Sequence, residues 1–335
     1  MGVKLKPVAE QVIVITGASS GIGLATAQEA ARRGAKVVMV SRDAGDLTRA
    51  ASAIRAADGD VVTAVADGAD RDAVERVAET ALAHYGRIDT WVNNAGVSIY
   101  GRIEEVDLND ARRLFETNYW GLVHGSLVAL AHIRRTGGAL INVGSVLSET
   151  GYPLQGHYAA SKHAVKGFTD SLRLELREEG APVSVTLIQP AAIDTPYTEH
   201  AKNYMDVEPK HMAPVYAPEI VASAILECAA HPHRNLRVGG AAKLFTMTEK
   251  VAPGLADRQK MGAFQAQRGD APARDDDTLH TFRPNDARLR GNYPGRVKKT
   301  SAYTAIAKRP VAASLVGLLA VGVGAVAANV WLRED

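Results

Sequence analysis

The feature that most constrains this chain is a short apolar strand that runs into a glycine-rich turn and then a helix. Residues 11–16, QVIVIT, are apolar and rich in β-branched side chains, as buried strands are. They lead into Gly17-Ala-Ser19-Ser20-Gly21-Ile22-Gly23, and a helical pattern over residues 24–33 ends at Gly34. Glycines placed after a strand and at the head of a helix let the backbone approach a phosphate closely. The helix N-terminus then offers unpaired N–H groups and a partial positive charge. The spacing is G-x-x-x-G-x-G rather than G-x-G-x-x-G.

The alternation continues along the chain. Further strands are predicted at 36–40, 61–65, 88–92, 139–143 and 183–188, with a short one near 236–238. Helical segments lie between them, including a long helix over 108–135 and another over 218–230. Strands separated by helices give a parallel sheet with right-handed crossovers, an α/β doubly wound (Rossmann-type) fold. Ligands bind such sheets beyond the carboxyl ends of the strands. Gly17, Arg42, Asp67, Asn94, Ser145 and Pro190 all fall at those ends.

Beyond the fifth strand come Ser145, Tyr158 thirteen residues later, and Lys162 four residues after that. Tyr158 and Lys162 share one face of a helix. A free phenol has a pKa near ~10, and an ammonium within ~4–6 Å lowers it. Such a tyrosine can act as general acid or base toward a hydroxyl or carbonyl, with Ser145 bonding the same substrate oxygen.

Composition narrows the function classes. The net charge is only +2, with no basic stripe interleaved with aromatics, so no nucleic-acid partner is expected. Cys228 is the only cysteine, which excludes an internal disulfide and a cysteine-based zinc site. The ten histidines form no H-x-x-x-H pattern, and no metal is expected.

TGASSGIG (16–23), NNAG (93–96), Asn118, Ser145 and YAASK (158–162) resemble the short-chain dehydrogenase/reductase family over roughly residues 8–240. The resemblance implies an Asn118–Ser145–Tyr158–Lys162 tetrad and a nicotinamide cofactor. Asn118 would bind, through its helix backbone, a water relaying protons to Lys162. Ser145 would orient the substrate, Tyr158 transfer the proton, and Lys162 also hold the nicotinamide ribose. Asp67 would bond the adenine amino group, while Asn94, Ala95 and Gly96 would line the cofactor cleft. The family commonly has Pro-Gly after the sixth strand, whereas this chain has Pro190-Ala191-Ala192, with Ile193 and Thr195 at the nicotinamide carboxamide positions. Alanine disfavours φ > 0, which puts the geometry of that turn in question.

After the second strand, NAD enzymes place an acidic residue for the ribose hydroxyls. Here Ser41 and Arg42 stand instead, and a guanidinium suits the 2′-phosphate of NADP (NADPH). Asp43, one position later, reads as a turn residue or helix cap. Residues 196–217 interrupt the alternation where the family inserts a substrate lid. Tyr197, His200, Tyr204, Met205, Met212 and Tyr216 there offer aromatic and apolar contact for a lipophilic substrate, or else simply pack.

The expected organisation is a catalytic domain over 1–250, an irregular connector over 251–310 and a transmembrane helix over 311–332. The last segment has no charged residue, and at ~1.5 Å per residue it spans a ~30 Å hydrocarbon core. Ala320, Gly324 and Ala328 recur every four residues. Lys298, Lys299, Lys308 and Arg309 precede the span, so the catalytic domain is expected on the cytoplasmic side of a single-pass anchor. The alternative is a buried core or oligomerisation helix. The expected protein is thus an NADP(H)-dependent oxidoreductase interconverting a small-molecule carbonyl and a secondary alcohol, and a homo-oligomer. A cofactor-sensing or membrane scaffold protein on the same fold is the other reading.

Overall fold

The computed structural model describes residues 3–308 except 275, 277 and 282–286. The chain alternates through β1 Val12–Thr16, α1 Gly21–Arg32, β2 Lys36–Ser41, α2 Ala44–Arg55, β3 Val61–Val65, α3 Arg71–Tyr85 and β4 Thr90–Asn93. It continues with α4 Leu108–Phe115, α5 Gly121–Thr136, β5 Gly138–Val143, α6 Gly156–Glu178, β6 Val183–Pro190, α7 Pro218–Ala230 and β7 Asn235–Val238. These strands form one parallel sheet in the order β7-β6-β5-β4-β1-β2-β3. The order reverses between β1 and β4, which creates a crevice at their carboxyl ends.

Period-2 alternation divides the core into two layers. Ile13, Ile15, Val37 and Met39 pack under α1, α2 and α7 with Leu24, Leu47, Val221 and Ile225. Val12, Val14, Val38 and Trp91 face α3, α5 and α6 with Val74, Val77, Ile133 and Leu172. Asp43 caps α2 by accepting from the Asp46 amide at 2.6 Å, so its carboxylate serves the helix.

The long helix expected over 108–135 is in fact two helices joined by a π-turn at Glu116–Trp120. Asn118 sits in that turn, and its side chain is spent across the fold. Oδ1 accepts from the Val97 amide at 2.8 Å, while Nδ2 donates to the Val97 carbonyl at 2.9 Å and to Ser161 Oγ at 3.1 Å. A π-turn widens the helix and is common at functional positions.

The lid, 196–217, contains short strands, Lys202–Asn203, Val207–Pro209 and Val215–Tyr216, rather than helices. The segment after β7 is not uniformly irregular. It holds α8 Gly240–Val251, α9 Pro253–Met261 and short strands at Arg268–Pro272 and Val297–Lys298. These strands pair with Val207–Pro209 and Val215–Tyr216 of the lid. Their partners are distant in sequence, so local periodicity carries no signal of them. The expected transmembrane segment, 311–332, lies outside the described residues. Among those described, no helix is long and apolar enough to cross a membrane.

Candidate active site

Tyr158 lies in the first turn of α6, and Lys162 follows one turn later, both buried. Ser145 follows β5 in the chain and caps a short turn by accepting from the Leu147 amide at 3.1 Å. All three line one cavity of about 560 Å³, together with Pro190, Ile193, Thr195 and Tyr197. That volume suits a drug-sized molecule. Asn118 does not line this cavity; it braces the Val97 backbone and α6 behind it.

The electrostatics differ in one respect from the sequence expectation. The Tyr158 phenol stands above its ordinary pKa rather than below it. Burial raises the phenol, and the hydroxyls of Tyr197 and Ser145, its hydrogen-bond partners, offset part of that rise. Lys162 Nζ donates to the Val143 carbonyl at 3.0 Å, and burial pushes its pKa down to about 8. The charged form is disfavoured in a low-dielectric surround for both groups, which moves an acid up and a base down.

A second cleft adjoins the first along the β1–β4 crevice. Gly17, Ser19, Ser20, Gly21, Ile22, Ser41, Arg42, Asp67, Asn94, Ala95 and Gly96 line it. Gly23 is beneath it: a Cβ there would lie 2.0 Å from the Gly17 carbonyl oxygen, so only glycine fits. Asn94 Nδ2 ties β4 to β1 by donating to the Thr16 carbonyl at 2.9 Å. Ser41 Oγ donates to Ser19 Oγ at 2.9 Å, linking the second strand to the glycine turn. Asp67 accepts from the Ala69 amide and pairs with Arg113; burial opposes ionisation, but these partners hold its carboxyl below the usual range.

The Ala191 question is answered by the backbone. Ala191 is not among the residues with positive φ, so the turn does not demand glycine at that position. Room for its methyl comes from Gly239, φ +96, where a Cβ would lie 3.0 Å from that of Ala191.

Of the lid residues, Tyr197, His200 and Met212 line the clefts. Tyr204 instead donates to Asp110 at 2.7 Å, and Met205 and Tyr216 are packed among apolar neighbours. The Tyr197 ring stands edge-on to Tyr158, centroids 5.6 Å apart, and stacks on His211 at 6.0 Å. His211 carried no motif in the sequence. Burial pushes its pKa down to about 4 against a backbone hydrogen bond to Thr195. Arg113 was also missed, because the last turn of α4 carries no local pattern for it, and only the fold brings it to Asp67.

The residues present fit a bound dinucleotide. The glycine turn leaves no space for side chains, and the hydroxyls of Thr117 and Thr278, buried without partners among the described residues, face the cleft. Fold and site together define a doubly wound α/β domain with a serine–tyrosine–lysine cluster at the carboxyl end of its sheet.

The short chain dehydrogenase family matches residues 11–205. The chain belongs to this family and is an oxidoreductase. It is 44% identical over 329 residues to "Uncharacterized oxidoreductase YxnA" of Bacillus subtilis, covering 95% of this chain and 91% of that protein. It is 36% identical over 194 residues to 11-beta-hydroxysteroid dehydrogenase A of Arachis hypogaea, covering 57% of this chain and 55% of the relative. Among solved structures, a Burkholderia phymatum short chain dehydrogenase/reductase in complex with NAD superposes with a TM-score of 0.67 and 27% identity. That superposition covers 78% of this chain and 98% of the other.

Proposed function

We propose that the protein is an NADP(H)-dependent reductase/dehydrogenase that interconverts a carbonyl and a secondary alcohol on a lipophilic small molecule. The observation that carries this reading is the convergence of Ser145, Tyr158 and Lys162 on one largely apolar cavity beside the glycine cleft. The chemistry that a bound nicotinamide would supply is hydride transfer to the carbonyl carbon, or from the carbinol carbon in the reverse direction. Tyr158 gives its proton to the carbonyl oxygen, or takes the alcohol proton in the reverse direction. Ser145 donates to the same oxygen and fixes its position. Lys162 would steady the tyrosinate and bond the cofactor ribose, and Asn118 would bind, through its helix backbone, a water relaying protons to Lys162.

Gly17, Gly21 and Gly23 would admit the pyrophosphate, and Asp67 would accept from the adenine amino group. Ile193 and Thr195, which line the cavity with Pro190, would meet the nicotinamide carboxamide. Arg42 stands where an acidic residue would favour NAD, and burial lowers its pKa, with Asp67 opposing. Such a desolvated cation favours a phosphate partner. The Arachis hypogaea relative is named for a hydroxysteroid, which agrees with a lipophilic substrate. The uncharged run 311–332 supports attachment to a membrane with the catalytic domain on the cytoplasmic side.

Turnover of a panel of lipophilic ketones and secondary alcohols, with each nicotinamide in turn, tests the reading. Consumption of NADPH with at least one ketone is expected. Cofactor binding without any turnover across the panel would favour the cofactor-sensing alternative.

A further inference from the structure

Two arginines and one backbone carbonyl meet beside the glycine cleft, which Arg42 and Asp67 line. Arg42, just after β2, donates from Nη1 to the Leu279 carbonyl oxygen at 3.2 Å. Arg113, on α4, donates from Nε to the same oxygen at 3.4 Å. Both guanidinium groups are part-buried, and Arg113 also pairs with Asp67. The three side chains therefore carry two positive charges and one negative, closed by an oxygen with only a partial charge. Converging guanidiniums match the oxygens of a phosphate far better than a single neutral carbonyl.

Leu279 belongs to the segment after α9 that returns over the cleft. Its side chain is fully buried with Val97, Ile99 and Leu114 in the cluster that holds Tyr158. The next residue, His280, contacts Asp110 of α4 at 3.0 Å. Farther along the same segment, the Arg288 carbonyl accepts from the Gly21 amide at 3.0 Å, at the head of α1. An amide at a helix N-terminus after a glycine turn is a phosphate donor. Two carbonyl oxygens of one C-terminal segment thus sit on two sets of donors suited to phosphate oxygens.

We propose that Arg42 and Arg113 form a single 2′-phosphate site, and that the Leu279 carbonyl is an internal stand-in which the 2′-phosphate displaces. Arg113 is then a specificity-determining residue alongside Arg42, and the C-terminal segment competes with the cofactor for both. This inference rests on the NADP(H) reading above, and the test separates the two.

The probes are adenosine 2′,5′-bisphosphate and 5′-AMP, titrated calorimetrically into the full chain, so that no turnover is required. The unaltered protein should bind the bisphosphate more tightly. Arg113→Ala should weaken the bisphosphate by roughly ten- to a hundredfold and 5′-AMP by less than about threefold. Arg113→Lys keeps the charge but not the fork and should fall between, which preserves the test should the alanine variant fold poorly. Leu279→Ala loosens the anchor of the stand-in and should raise bisphosphate affinity severalfold while leaving 5′-AMP unchanged. Equal weakening of both ligands by Arg113→Ala would overturn its place in the phosphate site and confine it to Asp67 and the adenine. Unchanged or lower bisphosphate affinity in Leu279→Ala would overturn the stand-in. Equal affinity of the unaltered protein for the two probes would instead sink the NADP(H) reading, and this proposal with it.

Discussion

Lys162 Nζ lies 5.7 Å from the centre of the Tyr158 ring while donating to the Val143 carbonyl. The ammonium is thus tethered to the end of β5, beside the phenol but not bonded to its oxygen. Burial holds the Tyr158 phenol above its ordinary pKa, with the Tyr197 and Ser145 hydroxyls opposing.

Tyr158→Phe keeps the ring and removes the proton donor. Cofactor affinity should stay within a fewfold, while kcat falls by ~10²–10⁴. Steady-state kinetics beside a cofactor titration will show this split; a variant turning over at the unaltered rate would remove Tyr158 from the chemistry.

Lys162 gives a pH signature. Its folded pKa of about 8 lies below the ordinary lysine value, so the unfolded chain holds the extra proton between about pH 8 and 10.5. Its contribution to stability is therefore greatest above the unfolded pKa and is lost as pH falls through the folded pKa. Lys162→Met should flatten that rise in a comparison of denaturant midpoints from pH 7.5 to 10.5. Parallel curves for the two proteins would contradict the burial argument.

Arg42→Ala should weaken NADPH by roughly ten- to over a hundredfold, the worth of a charge-assisted bond at ~1.5–3 kcal/mol, and NADH much less. Fluorescence titration with both cofactors reads the difference. Equal losses would make Arg42 a structural residue of the cleft.

A chain ending after Lys308 keeps every described contact, including the bond from Lys308 Nζ to Ser223 at 2.6 Å. It should fold, bind NADPH and stay soluble, while the full chain should sediment with membranes and resist carbonate extraction. Detergent-free, monodisperse full-length protein would refute the anchor.

Much of the sheet was legible because each buried strand is a short β-branched run bounded by turn residues. The positions at strand ends were legible for the same reason: Gly17, Asn94 and Ser145 follow directly from where the strands stop. Arg113, His211 and Leu279 were not, since each reaches the clefts through contacts made across the fold rather than through any local pattern. The π-turn at Asn118 was hidden too. It places that amide against Val97 and Ser161, contacts across the fold that no helical periodicity records. The short strands of the lid leave no local signal either, since two of them pair with residues 268–272 and 297–298, far along the chain.

The most direct test of the central claim uses NADPH deuterated at the transferable nicotinamide position, with a ketone that the protein turns over. Mass spectrometry of the alcohol should find one deuterium on the carbinol carbon, and the Tyr158→Phe protein should form that product far more slowly. Product without deuterium on that carbon, or equal labelling rates for both proteins, would contradict hydride transfer assisted by Tyr158.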